Sequence, residues 1–236
     1  MKTRAVFFDL VNTLVHLEPD RHVLTAEVCH EFGIEVSALD ILRGIYAADA
    51  EMPPGRPLRW SADEDPAVYL RYNAAVLTGA GVTPPDQHTA GAMLQRFAQR
   101  YKDIRFAVFD DVRPALQELK ERGIVTGVIS NVPQPVAPML QKLGLGDLLD
   151  FGVSPLDVGG ECKPAAPIFL EALRRSGAKS DEAVHVGDEY FVDGKGARGA
   201  GITPVILDRY NLFESLEGYH RIVTLRELLP LLETFA

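Results

Sequence analysis

Residues 4–14 read RAVFFDLVNTL, and the architecture of the chain follows from this segment. Four apolar residues, 5–8, end at a single acid, Asp9, and the turn-forming pair Asn12-Thr13 follows. A short apolar run that stops at a turn is typical of a strand buried on both faces of a parallel sheet. Ligands bind beyond the carboxyl ends of such strands, which is where this pattern places Asp9. A lone acid there can also be a turn or capping residue, so its interpretation depends on the rest of the chain.

Downstream of Val112, short β-rich runs alternate with segments of helical periodicity. The pattern predicts strands at 124–129, 151–154, 183–186, 204–207 and 222–223. It predicts helices starting near Pro114 and spanning 136–143, 166–176, 194–200 and 225–232. Strands separated by helices of this length predict an α/β fold with a doubly wound parallel sheet.

The segment between the first strand and this alternating region has a different character. Apolar residues recur at helical spacing over 21–33, 37–50, 65–79 and 87–102, and we find no strand pattern between them. The sequence therefore predicts an α/β core domain made of 1–15 and 106–236, with 16–105 as a helical domain inserted after the first strand.

Composition excludes several classes of function. The chain has 236 residues, 47% of them apolar, and a formal net charge of -9, so a nucleic acid partner is not expected. The two cysteines, Cys29 and Cys162, lie far apart and outside any CxxC pattern, which indicates neither a zinc site nor a disulfide framework. The N-terminal apolar run is too short for a signal peptide or a membrane span. We expect a cytoplasmic protein without a membrane partner, either a monomer or a homodimer.

Polar residues follow several of the predicted strands. The first strand ends at Asp9, the 124–129 strand at Ser130-Asn131, and the 183–186 strand at Gly187-Asp188. Lys163 lies in a loop before a helix, and Asp193 follows Asp188 closely. Parallel strands bring their carboxyl ends to one edge of the sheet. A carboxylate, a hydroxyl, an ammonium and further acids at one edge suit phosphoryl transfer through an aspartyl intermediate, with a hard cation held by carboxylates.

Four segments, FFDLVNTL, VISN, ECKPAAPIF and HVGDEYFVDGKGARGAG, occur in an order and at a spacing that resemble the haloacid dehalogenase-like (HAD) hydrolase superfamily. The resemblance implies that Asp9 is the nucleophile and that the helical insertion is a C1-type cap, which covers the site and selects the substrate. It also implies a Mg²⁺ site formed by Asp9, the Val11 carbonyl and Asp188, with Asp193 as a further acid near the metal or the lysine, and phosphate binding by Ser130, Asn131 and Lys163.

The chain departs from the family pattern DxDGT, because Val11 stands where the second aspartate would act as general acid and base. General acid–base help is worth about 10²–10⁴ in rate, so hydrolysis of poor leaving groups should suffer. We predict a Mg²⁺-dependent phosphatase for a small phosphorylated metabolite. A metal-free 2-haloacid dehalogenase and an inactive binding or regulatory protein remain alternatives. A phosphonate-cleaving enzyme would need a cap lysine, and the only lysine clearly within the insertion is Lys102, near its end.

Several residues also have structural interpretations. Asp193 could be the N-cap of the following helix, and His185, inside a buried strand, is read as an interior histidine. Aromatic residues of the insertion are expected in its core rather than in contact with substrate. Two arginines of its proline-rich loop are candidates for contact with an anionic substrate. These residues are Trp60, Tyr69 and Tyr72, and Arg56 and Arg59.

Overall fold

The computed structural model describes residues 3–51, 65–102, 105–213 and 216–235. They fall into two compact units. The described residues of 1–16 and 107–236 form one unit, the core unit, and those between 17 and 106 form the other, the helical unit. Arg56, Arg59 and Trp60, for which the sequence suggested roles in substrate contact or core packing, lie outside the described residues.

A six-stranded parallel sheet organises the core unit. The α/β fold class predicted from the sequence is thereby confirmed. In order across the sheet, the strands are β5 Phe151–Val153, β4 Val125–Ile129, β1 Ala5–Phe8, β6 Ala183–Gly187, β7 Thr203–Leu207 and β8 His220–Ile222. The helices are α5 Val112–Glu121, α6 Val136–Lys142, α7 Ala166–Ser176, α8 Lys195–Gly199 and α9 Leu228–Glu233.

β1 is central, and all four of its side chains are fully buried. Side chains alternate across a strand, so Val6 and Phe8 join one apolar cluster while Ala5 and Phe7 join another. Both faces of the sheet are covered, which is why β1 reads as an unbroken apolar run. The sheet holds β1 rigidly between β4 and β6 up to the residue before Asp9.

The described residues of the helical unit form four helices: α1 Arg21–Glu31, α2 Ala38–Glu51, α3 Pro66–Gly79 and α4 Gln87–Tyr101. The side chains of Asp65 and Asp86 cap α3 and α4 by accepting main-chain N–H groups. Helices α2 and α3 approach closely at Gly44, where a Cβ would lie 2.1 Å from the carbonyl oxygen of Val76. No helix among the described residues is both long and apolar enough to cross a membrane.

Two strands correct the prediction that no strand interrupts the stretch 16–105. β2, Val15–Glu18, and β3, Arg105–Val108, pair in a separate two-stranded sheet. Each strand has four residues, too few for a clear alternating pattern, and each is stabilised by a partner about ninety residues away in the chain. Local periodicity carries no record of such a pairing.

Candidate active site

The sheet register places the predicted site residues at one edge. Phe8 is paired with Val128 on one side and with Val186 on the other. The chain continues from these three residues to Asp9, Ser130 and Asp188, so these residues follow neighbouring strands. All three are nearly buried, and the Asp9 N–H donates to the Val186 carbonyl at 2.8 Å. The structure thus brings these three residues to the same edge of the sheet.

Lys163 lies against the nucleophile predicted from the sequence. Its Nζ donates to Asp9 Oδ1 at 2.5 Å and to Asp193 Oδ1 at 2.7 Å, and its side chain is 2% exposed. Two reciprocal hydrogen bonds hold the lysine main chain: the Lys163 N–H donates to Asn131 Oδ1 at 2.7 Å, and Asn131 Nδ2 donates to the Lys163 carbonyl at 3.1 Å. The Asn131 side chain, predicted to bind phosphate, therefore holds the main chain of Lys163.

The Asp193 carboxylate is shared among three donors. Besides Lys163, His185 Nε2 lies 2.9 Å from Oδ1, and the Glu189 N–H donates to Oδ2 at 3.1 Å. Of the two roles implied for Asp193, near the metal or near the lysine, the structure shows the contact with the lysine. The proposed N-cap role is wrong, because Asp193 lies inside a π-helical turn, Tyr190–Gly194, and its carboxylate does not cap α8.

His185 is an interior histidine, as its strand position predicted, but its contacts are more specific than the sequence indicated. Nε2 faces Asp193, the ring packs edge-on against Phe169 with centroids 5.2 Å apart, and Nδ1 has no hydrogen-bond partner in the described structure. Burial lowers the pKa of His185, outweighing the opposing effect of Asp193. One local feature of the sequence hinted at these contacts. Gly187 ends β6, and a glycine in a strand often marks a place where another group approaches the main chain closely, here the Asp193 side chain.

The electrostatics of the cluster separate its two carboxylates. Burial, together with the charge of Asp193, raises the pKa of Asp9 to about 6, and Lys163 only partly offsets the rise. Burial also acts against ionisation of Asp193, but the charge of Lys163 and the His185 hydrogen bond hold its pKa well below the usual range. The two carboxylates together raise the pKa of Lys163 despite its burial. The lysine is a positive charge shared by two carboxylates, so the three side chains together carry a net negative charge when both acids are ionised.

The loop after Asp9 is closely hydrogen bonded. The Leu14 and Val15 N–H groups both donate to the Leu10 carbonyl at 2.9 Å, and the Asn12 N–H donates to the Val15 carbonyl at 2.6 Å. Asn12 has φ +62°, a left-handed conformation that asparagine tolerates better than most residues, and its Nδ2 donates to Asp188 Oδ2 at 3.3 Å. The sequence predicted the turn but not this contact with Asp188.

The side chains at this edge supply some, but not all, of the oxygen ligands that a hard divalent cation needs. Asp9 and Asp188 offer carboxylate oxygens on adjacent strand ends, and a cation would compensate the net negative charge of the cluster. Among the described residues no group of three or more His, Cys, Asp and Glu side chains could hold a metal ion, and the Asp193 carboxylate is engaged by Lys163. A site here would need main-chain ligands such as the Val11 carbonyl, in keeping with the set implied by the resemblance.

Two aromatic residues of the helical unit behave as predicted for core positions. Tyr69 and Tyr72 are buried, and the Tyr72 hydroxyl donates to Asp49 Oδ1 at 2.7 Å.

The Ser130 hydroxyl accepts a long hydrogen bond of 3.5 Å from the Val132 N–H, as expected for a residue that caps the following turn. This contact leaves the hydroxyl proton available for a further acceptor.

Comparisons with known proteins identify relatives over nearly the whole chain. The chain is 29% identical to haloacid dehalogenase-like hydrolase domain-containing protein 3 of Homo sapiens, an alignment that covers 99% of this chain and 95% of that protein. It is 27% identical to ribulose-1,5-bisphosphate 5-phosphatase of Halopiger xanaduensis, over 94% and 92% of the two chains. The crystal structure of 2-haloacid dehalogenase from Pseudomonas syringae pv. Tomato superposes with a TM-score of 0.57 at 25% identity, covering 100% of both chains.

The family model described as haloacid dehalogenase-like hydrolase matches residues 3–201. The match runs from the start of the described chain through β1, the helical unit, Lys163 and the Asp188–Asp193 segment, and so includes every residue placed in the site above. This chain belongs to the haloacid dehalogenase-like hydrolase family.

Proposed function

We propose that this hydrolase is a Mg²⁺-dependent phosphatase that acts on a small phosphorylated metabolite through an aspartyl-phosphate at Asp9. The observation that carries the proposal is the buried contact between Lys163 Nζ and Asp9 Oδ1 at 2.5 Å, on the edge of the sheet where Ser130 and Asp188 also lie. A carboxylate nucleophile beside a fixed ammonium and a hydroxyl donor suits attack on a phosphoryl group. The phosphatase activity named for the Halopiger relative supports the same reading.

In the first step, an ionised oxygen of Asp9 attacks phosphorus, and the bond from phosphorus to the leaving-group oxygen breaks with its electron pair going to that oxygen. Lys163 balances the negative charge that collects on the phosphoryl group, and the Ser130 hydroxyl donates to one of its oxygens. Asn131 holds the main chain of the lysine, and Asp193 holds its Nζ. They keep the ammonium in place while the charge shifts.

Asp9, Asp188 and the Val11 carbonyl would hold Mg²⁺. When bound, the ion supplies the positive charge that lets a carboxylate approach a phosphate dianion. Asn12 Nδ2 orients the Asp188 carboxylate from the loop side. Asp193 takes no part in this set in our proposal, because its oxygens accept from Lys163, His185 and the Glu189 main chain.

Val11 shapes the choice of substrate. It offers no proton to the leaving oxygen, which must therefore take one from water or leave as a stable anion. In the second step a water molecule attacks phosphorus, the bond to Asp9 breaks with its electron pair going to the carboxylate, and inorganic phosphate leaves with both protons of the water. Without a side-chain base at residue 11, this step is slow as well. The second step is the same for every substrate, because the leaving group has already departed. We therefore expect acyl and aryl phosphates to phosphorylate Asp9 faster than alkyl phosphates, a difference that kcat/KM reports.

We also propose that the helical insertion, 16–105, acts as a C1-type cap that selects the substrate. It enters the chain directly after the segment that carries Asp9, and its two connections to the core unit pair with each other as β2 and β3. A helical unit joined in this way is suited to close over a site and exclude water.

A second candidate activity is hydrolytic removal of halide from a 2-haloacid. Two observations favour it: a halide leaves without a proton, which makes Val11 unobjectionable, and a solved 2-haloacid dehalogenase is 25% identical over the whole chain. In this reaction Asp9 would attack carbon and form an ester, which water then cleaves. Asp188 weighs against it, since the resemblance associates this acid with metal binding and metal-free dehalogenation has no use for it.

The test measures phosphate release from p-nitrophenyl phosphate, acetyl phosphate and an alkyl phosphate, glycerol 2-phosphate, with and without Mg²⁺, and chloride release from 2-chloropropionate in parallel. Wild type is compared with Asp9→Asn, Val11→Asp and a matched control, Asp208→Asn. Asp208 is also a buried carboxylate just beyond a strand of the sheet, but it accepts from the Leu212 and Phe213 N–H groups and from Arg221.

We expect Mg²⁺-dependent phosphate release that disappears in Asp9→Asn and persists in Asp208→Asn. With the alkyl phosphate, we expect Val11→Asp to release phosphate about 10²–10⁴ times faster than wild type. Chloride release without metal, with no phosphate release, would assign the chain to the second candidate. Phosphate release that survives in folded Asp9→Asn would overturn both.

A further inference from the structure

We propose that Arg209 is a positioning residue for the nucleophile loop, which we define as residues 9–15. Its Nη2 and Nε donate to the Thr13 carbonyl at 2.7 and 3.3 Å. Thr13 lies between Val11 and the end of the loop, whereas Arg209 follows β7 and is far away in sequence. The inference rests on the proposed function, because it assigns the loop to catalysis. It adds a residue that lies outside the four segments of family resemblance.

The guanidinium is held in one orientation. Its Nη1 and Nη2 donate to the two oxygens of Asp111 at 2.9 and 3.0 Å, the parallel geometry that makes arginine–carboxylate pairs directional. The guanidinium carbon also lies 3.9 Å from the centre of the Phe109 ring. Both charged side chains are largely buried, at 10% and 8% exposure. An arginine fixed by both a carboxylate and an aromatic ring can hold a main-chain carbonyl with little loss of entropy on each contact.

Asp111 is itself anchored to the end of the chain. The same Oδ2 that accepts from Arg209 also accepts from the Thr224 hydroxyl at 2.6 Å and from the Leu225 N–H at 2.8 Å. We call Arg209, Asp111 and Thr224 the arginine clamp. All its contacts lie within the core unit.

The peptide between Thr13 and Leu14 is held at both of its polar groups. The clamp binds its carbonyl, and the nucleophile loop binds its N–H. The peptide that carries the Thr13 carbonyl also carries the Leu14 N–H, which donates to the Leu10 carbonyl at 2.9 Å. Within the described structure the Thr13 hydroxyl is buried and makes no hydrogen bond, so it offers no substitute. If the guanidinium is removed, the buried carbonyl lacks its strongest donors, and rotating the peptide to find another would break the bond to Leu10.

This coupling extends to the groups of the proposed mechanism. Leu10 lies directly between Asp9 and Val11, so a change at its carbonyl moves the peptides on either side. Reacting groups displaced by about 1 Å lose about 100-fold in rate. The clamp is therefore expected to govern kcat, with little direct effect on substrate binding.

The experiment compares wild type with Arg209→Ala, Arg209→Lys and a matched control, Arg113→Ala. Arg113 also donates to two main-chain carbonyls of the core unit, those of Leu143 and Gly144 at 2.9 and 2.6 Å, but none of the described site residues is among its partners. Three readouts are used: kcat and KM with p-nitrophenyl phosphate, hydrogen exchange of the Leu14 N–H in folded protein, and rescue of kcat by millimolar guanidinium ion.

Arg209→Ala should lower kcat about 100-fold with KM nearly unchanged, accelerate Leu14 exchange and recover part of its kcat when guanidinium is added. Arg113→Ala should show none of these effects. If Arg209→Ala does not fold, Arg209→Lys, which keeps the charge but loses the planar fork, should still lower kcat and accelerate Leu14 exchange.

Wild-type kcat and unchanged Leu14 exchange in a folded Arg209 variant would overturn the proposal. The proposal would also be overturned if Arg209→Ala and Arg113→Ala lost the same amount of kcat and guanidinium ion restored neither. Equal losses would indicate a general effect on stability. If wild type releases no phosphate, the proposed function fails, and Leu14 exchange alone decides whether Arg209 holds the loop.

Discussion

Replacing Gly187 by alanine should damage both stability and catalysis. A Cβ at this position would lie 2.2 Å from Asp193 Cγ and 2.5 Å from Asp193 Cβ, where ordinary contacts are 3.4–4 Å. Because the Asp193 Cβ is itself too close, rotation of the carboxylate cannot relieve the clash, and the main chain must shift by at least about 1 Å. That shift pulls the carboxylate away from Lys163 and His185. We expect a loss of about 1–3 kcal/mol in the free energy of unfolding and about 100-fold in kcat.

Urea titration and steady-state kinetics with p-nitrophenyl phosphate measure the two effects. Gly199→Ala is the matched control: it lies in α8, an added Cβ meets nothing within 4 Å, and alanine is the better helix former by up to about 1 kcal/mol. The control should keep wild-type kcat and should not be less stable. If Gly187→Ala stays within about 0.5 kcal/mol of wild type and keeps its kcat, the contact between β6 and Asp193 described above is wrong.

Three further predictions follow from other contacts. Asn131→Ala removes both hydrogen bonds that hold the Lys163 main chain, so it should lower kcat and cost about 1–3 kcal/mol in unfolding free energy, with wild-type values counting against the positioning role. Hydrogen bonds from two α7 arginines lower the pKa of Glu171 to about 2. Its stabilisation is complete above the ordinary value of 4.5, so the stability difference between wild type and Glu171→Gln should shrink as pH falls from 4.5 towards 2, and a constant difference would refute this. Burial raises the pKa of Cys29 to about 11, and iodoacetamide at pH 8 should therefore label this thiol only after unfolding.

The parts of the fold that sequence analysis could predict are those with a strong local pattern. The apolar run of β1 indicated a strand buried on both faces, and alternation downstream indicated a parallel sheet. Parallel register then placed Asp9, Ser130 and Asp188 together, because each follows a strand next to its neighbour in the sheet. Lys163 was included as the ammonium of this constellation, but its loop position alone does not place it at the site, and the family resemblance supplied its phosphate-binding role.

The remaining features depend on contacts between distant residues. β2 and β3 are short strands that pair across the whole helical insertion. The Asn131 side chain faces the Lys163 main chain, and Arg209 faces the Thr13 carbonyl; a main-chain partner can be any residue type, so it leaves no mark on composition. The π-helical turn that carries Asp193 likewise begins before the helix predicted from Gly194.

The central claim, that Asp9 forms a covalent phosphoryl intermediate, can be tested by trapping that intermediate. Enzyme mixed with acetyl phosphate and Mg²⁺ is quenched in acid and treated with borohydride, which reduces an acyl phosphate to an alcohol and converts Asp9 to homoserine. We expect homoserine at position 9 in wild type, more of it in the presence of Mg²⁺, and none in enzyme without substrate. Phosphate release with unmodified aspartate at position 9 would contradict it.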